Sequence, residues 1–508
     1  MLHLGTHPKK SDPSAMAVPR RSELETSADE RALRRTLLVL FAITAARVIW
    51  LRVGGLDLYP DEAQYWLWSL KPDWGYFSKP PLIAWVIRAT TLLLGDDEAG
   101  IRIAAPLFHF GTALVIFQIA RRLYDARIAS WSAIAYATLP GVSASSLVIS
   151  TDVPLLFCWA VALYAFVRAR ESEGWRWWLA VGVACGFGLL AKYAMAYWLL
   201  SALLFLLVVK DERRHLPRFL AATAIGLAIY APNLVWNLTH NFVSYRHTEA
   251  NADISRFALH PGAFLEFLGS QFGVFGPVFF ATLLAIVVLL RRVLRDPRAR
   301  LLAVFALPTL AMMIAVSLLS RAHPNWSAPT YISGTILVVA FLIEHGRAVL
   351  VTGSVILHVA LVVVLLPARD IAHAVGWDLP GRWDPVHRLR GWARLGNSVG
   401  VLLRDQPDAK LLSDNREVLA ALIYYVMPHP FDALKWNPGG GVHDQFDISS
   451  DAKTHVGENF LYVGPRQGLG DLPKYFQSVG SVGHITINLG GGTTREFLVA
   501  RLDGFKGY

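Results

Sequence analysis

Cysteine is almost missing from this chain: Cys158 and Cys185 are the two among 508 residues, and both lie within apolar segments. They imply neither a disulfide framework nor a thiolate metal site. Charge is also scarce. Asp, Glu, Lys and Arg make up 17% of the residues, hydrophobic types reach 54%, and the mean hydropathy is +0.40. Apolar runs repeatedly approach the roughly 20 residues needed to cross a bilayer, so the chain reads as a polytopic α-helical membrane protein. No internal repeat of these runs is evident, which weighs against a transporter built from inverted halves. Residues 1–35 lack the apolar stretch of a signal peptide. With Lys9, Lys10, Arg20 and Arg21 among Ser, Pro and Ala, they read as a disordered cytoplasmic tail.

Hydropathy picks out eleven candidate spans: 36–53, 103–120, 128–147, 153–168, 177–191, 193–209, 219–236, 265–290, 301–319, 327–344 and 348–367. The segment 80–95 is apolar but short, opens with Pro80-Pro81 and carries Arg88 in its middle. If it lies on the membrane surface, 16 Lys and Arg residues from Arg121 to Arg347 fall in inner loops, against Lys192, Arg246, Arg256 and Arg321 in short outer loops. A crossing at 80–95 reverses that bias, against the positive-inside rule. The N-terminus is therefore expected in the cytoplasm, with residues 54–102 as one long first outer loop containing juxtamembrane helices. Residues 36–367 form the expected membrane domain of a bacterial inner-membrane protein. The net charge of +10 sits mostly in short inner loops, so nucleic acid is not an expected partner.

From 368 to 508 the texture becomes polar and mixed, which predicts a periplasmic α/β domain with its own core. Residues 460–463, 484–488 and 496–500 read as strands, while Val418, Leu419, Leu422, Ile423 and Val426 mark one face of a helix. The runs Gly439-Gly440-Gly441 and Gly490-Gly491-Gly492 lack the spacing of a phosphate-binding loop and read as turns.

Four stretches carry candidate chemistry. In Tyr59-Pro60-Asp61-Glu62, two carboxylates follow the first span; proline suits a first helical turn and acids suit the positive end of its dipole, so capping alone explains them. The aromatics that follow, Tyr65, Trp66, Trp68, Trp74, Tyr76 and Phe77, suit a surface helix among lipid head groups, where a lipid-linked substrate is presented. In Gly75-Tyr76-Phe77-Ser78-Lys79-Pro80-Pro81, rigid proline geometry holds a lysine that either binds a phosphate or meets lipid head groups nonspecifically. Asp152 opens a span on the outer side, as a cap or as an acid. In Ser320-Arg321-Ala322-His323-Pro324-Asn325-Trp326, Arg321 and His323 either meet an anion or end their helices in solvent. His240, His247 and His323 fall in outer loops without metal-ligand spacing. Within the spans, the ionisable candidates are Lys192, His109 and His358, few for a transport pathway near the midplane.

Taken in order, these motifs resemble glycosyltransferase family 39 of the GT-C superfamily, which includes protein O-mannosyltransferases and bacterial lipid A aminoarabinose transferases. The resemblance rests on Asp61-Glu62 after the first span, Tyr-Phe-x-Lys-Pro-Pro over 76–81, Arg102 before the next span, Asp152 at the outer start of a later one, and the Pro-Asn-Trp loop. It implies a GT-C-like membrane domain that moves a sugar, with inversion, from a polyprenyl-phosphate donor to a glycolipid, polysaccharide or protein acceptor on the periplasmic face. Asp61 then takes the acceptor hydroxyl proton, with Glu62 or Asp152 as helper. Lys79 holds the donor phosphate, with Tyr76, Arg102, Arg246, Arg321 or His323 beside it. Two positions depart: Gln64 stands where the aminoarabinose transferases carry an arginine, and Ser78 where they carry a glutamate. Neither aminoarabinose transfer specifically nor a required metal or other cofactor is therefore expected. The alternatives are a transporter or flippase of lipid-linked sugars, and a noncatalytic scaffold.

Overall fold

The computed structural model describes residues 21–252, 259–320 and 322–508, so residues 1–20 of the expected tail lie outside the described residues. Helix α1 (Arg21–Val53) opens well before the span expected at residue 36. Residues 22–35 are rich in Glu, Ala, Leu and Arg, which lose little freedom in a helix, so residues 21–35 extend the span instead of forming a disordered tail.

Among the described residues six helices are long and apolar enough to cross a membrane: Asp29–Val53, Glu98–Leu123, Asp152–Arg170, Lys210–Thr239, Pro297–Leu319 and Ala348–Leu365. A seventh follows if Pro261–Val274 and Pro277–Val288 are one broken span, bent by 119° across a break containing Gly276 at φ +89°. The expected eleven crossings are not reached by this criterion. Residues 177–191, 193–209 and 327–344 yield helices of 16, 14 and 15 residues. The segment 128–147 breaks at Leu139, held extended (ψ 135°) by the proline that follows it.

The loop between the first two long apolar helices contains α2 (Pro60–Leu70) and α3 (Leu82–Leu94). At 1.5 Å per residue α3 is about 20 Å long, short of the roughly 30 Å of a hydrocarbon core. Both of its ends return to the neighbourhood of α2: Trp85 Nε1 donates to Asp73 O at 3.1 Å, and Trp66 Nε1 donates to Asp96, just beyond α3, at 3.1 Å. The helix thus folds back against α2.

The C-terminal domain is built on a five-stranded sheet of order β2-β1-β3-β5-β4, with β1 Ala409–Ser413, β2 Leu434–Lys435, β3 Asn459–Gly464, β4 Phe476–Gly490 and β5 Thr493–Phe505. β1 pairs parallel with β2 and β3, while β5 runs antiparallel to β3 and β4. Gly490, Gly491 and Gly492, all at positive φ, turn β4 into β5 as expected of a glycine run. One face of the sheet has its own core around Phe460, Tyr462, Phe476 and Phe505. The other shares a core with the loop that carries α2 and α3, in which Trp66, Ile83 and Ile87 pack with Trp392, Leu419 and Leu422.

That shared core corrects the expectation that the aromatics after Asp61 lie among lipid head groups for Tyr65, Trp66, Trp68, Tyr76 and Phe77, which are buried, while Trp74 stays exposed. Trp66 is 1% exposed and meets Tyr424 edge-on at 5.0 Å, with Phe431 stacked at 6.2 Å. Trp68 stacks on Tyr76 at 4.4 Å. Each such pair contributes about 0.5–1.5 kcal/mol beyond its burial. Polar bonds add to the seam: Asp57 Oδ2 accepts from Trp392 N at 2.8 Å, Tyr425 Oη from Leu58 N at 2.6 Å, and Gln445 Oε1 from Phe77 N at 2.7 Å.

Candidate active site

Pro60 starts α2, and the third residue of the helix, Glu62, reaches back so that Oε2 accepts from Tyr59 N at 2.8 Å. This is the capping arrangement legible in the sequence. Glu62 does more than cap. Arg102 donates through Nε to Oε1 at 2.9 Å and through Nη2 to Oε2 at 2.7 Å, and Ile149 N adds a bond to Oε1 at 2.8 Å. Two further donors of Arg102 go to the carbonyls of Leu56 and Asp57. Each carboxylate oxygen of Glu62 thus accepts two bonds, and the guanidinium is committed to the protein. Glu62 and Arg102 are structural partners in this geometry.

Asp61 points elsewhere, because successive residues on a helix diverge by about 100°. Its Oδ1 accepts from Arg416 Nη1 at 2.7 Å, and the same Nη1 reaches Gln64 Oε1 at 2.6 Å. Arg416 opens the helix Arg416–Tyr425 of the C-terminal domain, capped by Asn415. A guanidinium therefore does stand beside Gln64, but it comes from the far end of the chain. Asp61 lines a cavity of about 450 Å³, together with Tyr65, Asp152, Asn325 and Tyr331.

Across that cavity, Asp152 opens its helix as expected and is held from two sides. Lys192 Nζ donates to Oδ1 at 2.6 Å, and Asn325 Nδ2 donates to Oδ2 at 2.8 Å. Lys192 also lines a second cavity of about 190 Å³ with Lys79, Tyr193, Tyr197 and Trp326. The Asp152–Lys192 pair is thus the partition between the two. Lys79 makes no ion pair among the described residues. Burial pulls its ammonium below the ordinary lysine range; Lys192 and Arg416 add to that, while Asp61 and Asp152 oppose it. A half-buried cation without a counter-ion, flanked by two positively charged neighbours, is a place for an anion.

The model of the family described as dolichyl-phosphate-mannose-protein mannosyltransferase matches residues 78–236. The lipid A galacturonosyltransferase RgtD of Rhizobium johnstonii is 34% identical over 411 residues, which cover 80% of this chain and 86% of that relative. The chain belongs to glycosyltransferase family 39 of the GT-C superfamily. It is a multi-pass membrane glycosyltransferase, and the transporter and scaffold readings fall away. The undecaprenyl phosphate-α-4-amino-4-deoxy-L-arabinose arabinosyl transferase of Pseudomonas aeruginosa is 27% identical over 343 residues, 61% of this chain and 60% of the relative. Among solved structures, ArnT from Cupriavidus metallidurans bound to undecaprenyl phosphate matches with a TM-score of 0.63 at 17% identity, covering 94% of this chain and 98% of that one. That likeness extends the GT-C fold over nearly the whole chain, the C-terminal domain included.

Other expected residues of this family 39 chain lie apart from the two cavities. The Tyr76 hydroxyl donates to Trp68 O at 3.1 Å and accepts from Asp73 N at 3.0 Å, so Tyr76 braces the turn that carries Lys79. Arg246 is exposed and lines a separate recess with Phe77, His240, His247 and His443. His323 is exposed and meets Trp326 edge-on at 5.3 Å. Arg321 lies outside the described residues. His247 packs on Phe77 at 4.9 Å, and burial, followed by the charges of Lys79 and Arg416, pushes its ring down to about 4. Among the described residues no three His, Cys, Asp or Glu side chains are grouped to hold a metal ion. The sequence assigns no role to Arg416, places Asn325 in the Pro-Asn-Trp loop without a role of its own, and offers Lys192 as an ionisable group within the spans rather than as the partner of Asp152. One signal for Arg416 was present: a cation at the first position of a helix faces the unfavourable end of the dipole, so something other than the helix keeps it there.

Proposed function

We propose that this enzyme transfers a hexuronic acid residue of the galacturonic type from a polyprenyl-phosphate donor to a lipid A or lipopolysaccharide-core glycolipid on the outer face of the inner membrane. In this reading residues 36–367 form the catalytic membrane domain, the N-terminus is cytoplasmic, and residues 368–508 lie in the periplasm. The similarity to RgtD supports the sugar and acceptor class, and the similarity to the aminoarabinose transferase supports the lipid-phosphate donor. The carrying observation is the placement of Asp61 on the larger cavity, with the unpaired Lys79 in the adjoining one.

The acceptor hydroxyl oxygen forms a bond to the anomeric carbon from the face opposite the phosphate, and its proton passes to Asp61. The bond between that carbon and the phosphate oxygen breaks, and its electron pair leaves with the polyprenyl phosphate. Inversion follows from the opposite-face attack. Phosphate is a good leaving group, so no strong general acid is required; Lys79 meets the charge that grows on it. Asp152, held by Lys192 and Asn325, orients the sugar or the phosphate from the partition, while Glu62 and Arg102 hold α2 in place.

The test uses purified protein in liposomes with a polyprenyl-phosphate galacturonic acid donor and lipid A. The wild-type protein should form the galacturonosyl product. Asp61→Asn should bind donor normally and turn over roughly 10²-fold or more slowly, the scale of general-base catalysis. No product from the wild-type protein overturns the substrate class, and full-rate transfer by Asp61→Asn overturns the base.

A further inference from the structure

We propose that Arg416, delivered by the C-terminal domain, is a positioning residue for sugar transfer: it clamps one oxygen of Asp61 so that the other faces the acceptor hydroxyl. This rests on the reading of Asp61 as base. Arg416 Nη1 sits 2.7 Å from Asp61 Oδ1 and 2.6 Å from Gln64 Oε1, so one terminal NH2 of the guanidinium bridges two residues of α2. Positions 61 and 64 are three apart and share a helix face. Asp61 Oδ2 makes no hydrogen bond among the described residues, and the side chain lines the larger cavity. A carboxylate held by one oxygen has lost its rotation about the last side-chain bond. Its free lone pairs then point in one direction.

Gln64 fits the clamp. It is 2% exposed, so its amide oxygen needs a donor inside the protein, and Arg416 supplies one. A cation at that position would repel Arg416. The helix gains little from the arginine, since Asn415 already caps Glu417 N and Val418 N and the dipole disfavours a positive charge there. The contact therefore serves α2 and Asp61, not the helix that carries it. Asp61 and Arg416 each stay about one-third exposed, which leaves the pair open to substrate.

The experiment is a double-mutant cycle on the full-length protein in liposomes, reading kcat and donor Kd for the wild type, Arg416→Gln, Asp61→Asn and the double variant, with Arg416→Lys beside them. Misplacement of a reacting group by about 1 Å costs up to about 10²-fold in rate, so Arg416→Gln should lower kcat about 10- to 100-fold with donor Kd within about twofold. Arg416→Lys should recover part of the loss. In the Asp61→Asn background, Arg416→Gln should change the rate by less than about twofold, because the group it positions no longer acts as a base. An equal loss in both backgrounds overturns the inference and makes Arg416 a general link between the domains. If Arg416→Gln does not fold, Arg416→Met, which keeps the apolar stem but has no donor, takes its place, and wild-type kcat in a folded Arg416→Met overturns the inference instead. A 10²-fold loss in Asp61→Asn with none in Arg416→Gln sinks this inference alone, whereas a full-rate Asp61→Asn sinks the base assignment first.

Discussion

Glu62 and Arg102 meet through two parallel hydrogen bonds, with both side chains 2% exposed. The pair fastens the start of α2 to the helix that opens the next span, and its bond from Ile149 N brings in the loop before Asp152. Two adjacent carboxylates have thus been set apart by the helix: both border the cavity of about 450 Å³, but Glu62 is locked in buried bonds while Asp61 stays about one-third exposed.

Glu62→Gln should therefore act on folding before it acts on rate. Removing one charge from a buried pair leaves the other uncompensated, at a cost of about 3–5 kcal/mol. A lowered melting temperature in detergent and poor yield are expected, while Asp61→Asn should melt near the wild type. A Glu62→Gln protein that melts normally but turns over slowly would exchange the two roles.

Lys79→Met keeps length and apolar bulk while removing the charge. Hydrogen bonds to charged groups contribute about 1.5–3 kcal/mol, so donor Kd should rise by roughly 10-fold or more, with kcat falling as well. Titration of the protein with polyprenyl-phosphate donor reads the first effect. Unchanged affinity and turnover would return Lys79 to a lipid anchor.

His247 carries a pH dependence of stability. Its folded value of about 4 lies below the ordinary 6.5, so between these the unfolded chain holds a proton that the folded protein does not. Stability should fall as pH drops from 6.5 toward 4, with no further loss from this residue below about 4. His247→Asn, which has no proton to gain, should show a shallower fall in melting temperature over that window.

Orientation is tested by thiol labelling, since Cys158 and Cys185 are both buried. Lys71→Cys, at the exposed end of α2, should react with an impermeant reagent applied from outside. Glu173→Cys, in the exposed loop after the Asp152–Arg170 helix, should be protected until the membrane is opened. The reverse pattern would invert the topology.

Much of this was legible because local chemistry decided it. Pro60 and the acids after it predict the opening of α2, Pro80-Pro81 and Arg88 predict a surface helix, and the strand runs at 460–463, 484–488 and 496–500 all fall within β3, β4 and β5. What stayed hidden depends on contacts between distant segments. Asp61 and Arg416 are 355 positions apart, and no pattern in either neighbourhood names the other. The bend near Gly276 had a local sign in Gly276-Pro277, outvoted by the hydropathy around it. Trp66 and Trp68 misled because an aromatic cluster has the same composition at a lipid interface as in a protein core.

The seam between the loop that carries α2 and the C-terminal domain also bears on how the enzyme is made. The amide hydrogens of Leu58 and Phe77 find their acceptors in Tyr425 and Gln445, and Asp61 finds its guanidinium at residue 416. A ribosome has passed residue 415 before the first of these partners exists. Until residues 416–445 are synthesised and packed against α2, the loop carrying the carboxylate is unfinished. Chains terminated ahead of Arg416 would thus be silent toward the lipid-linked sugar pool.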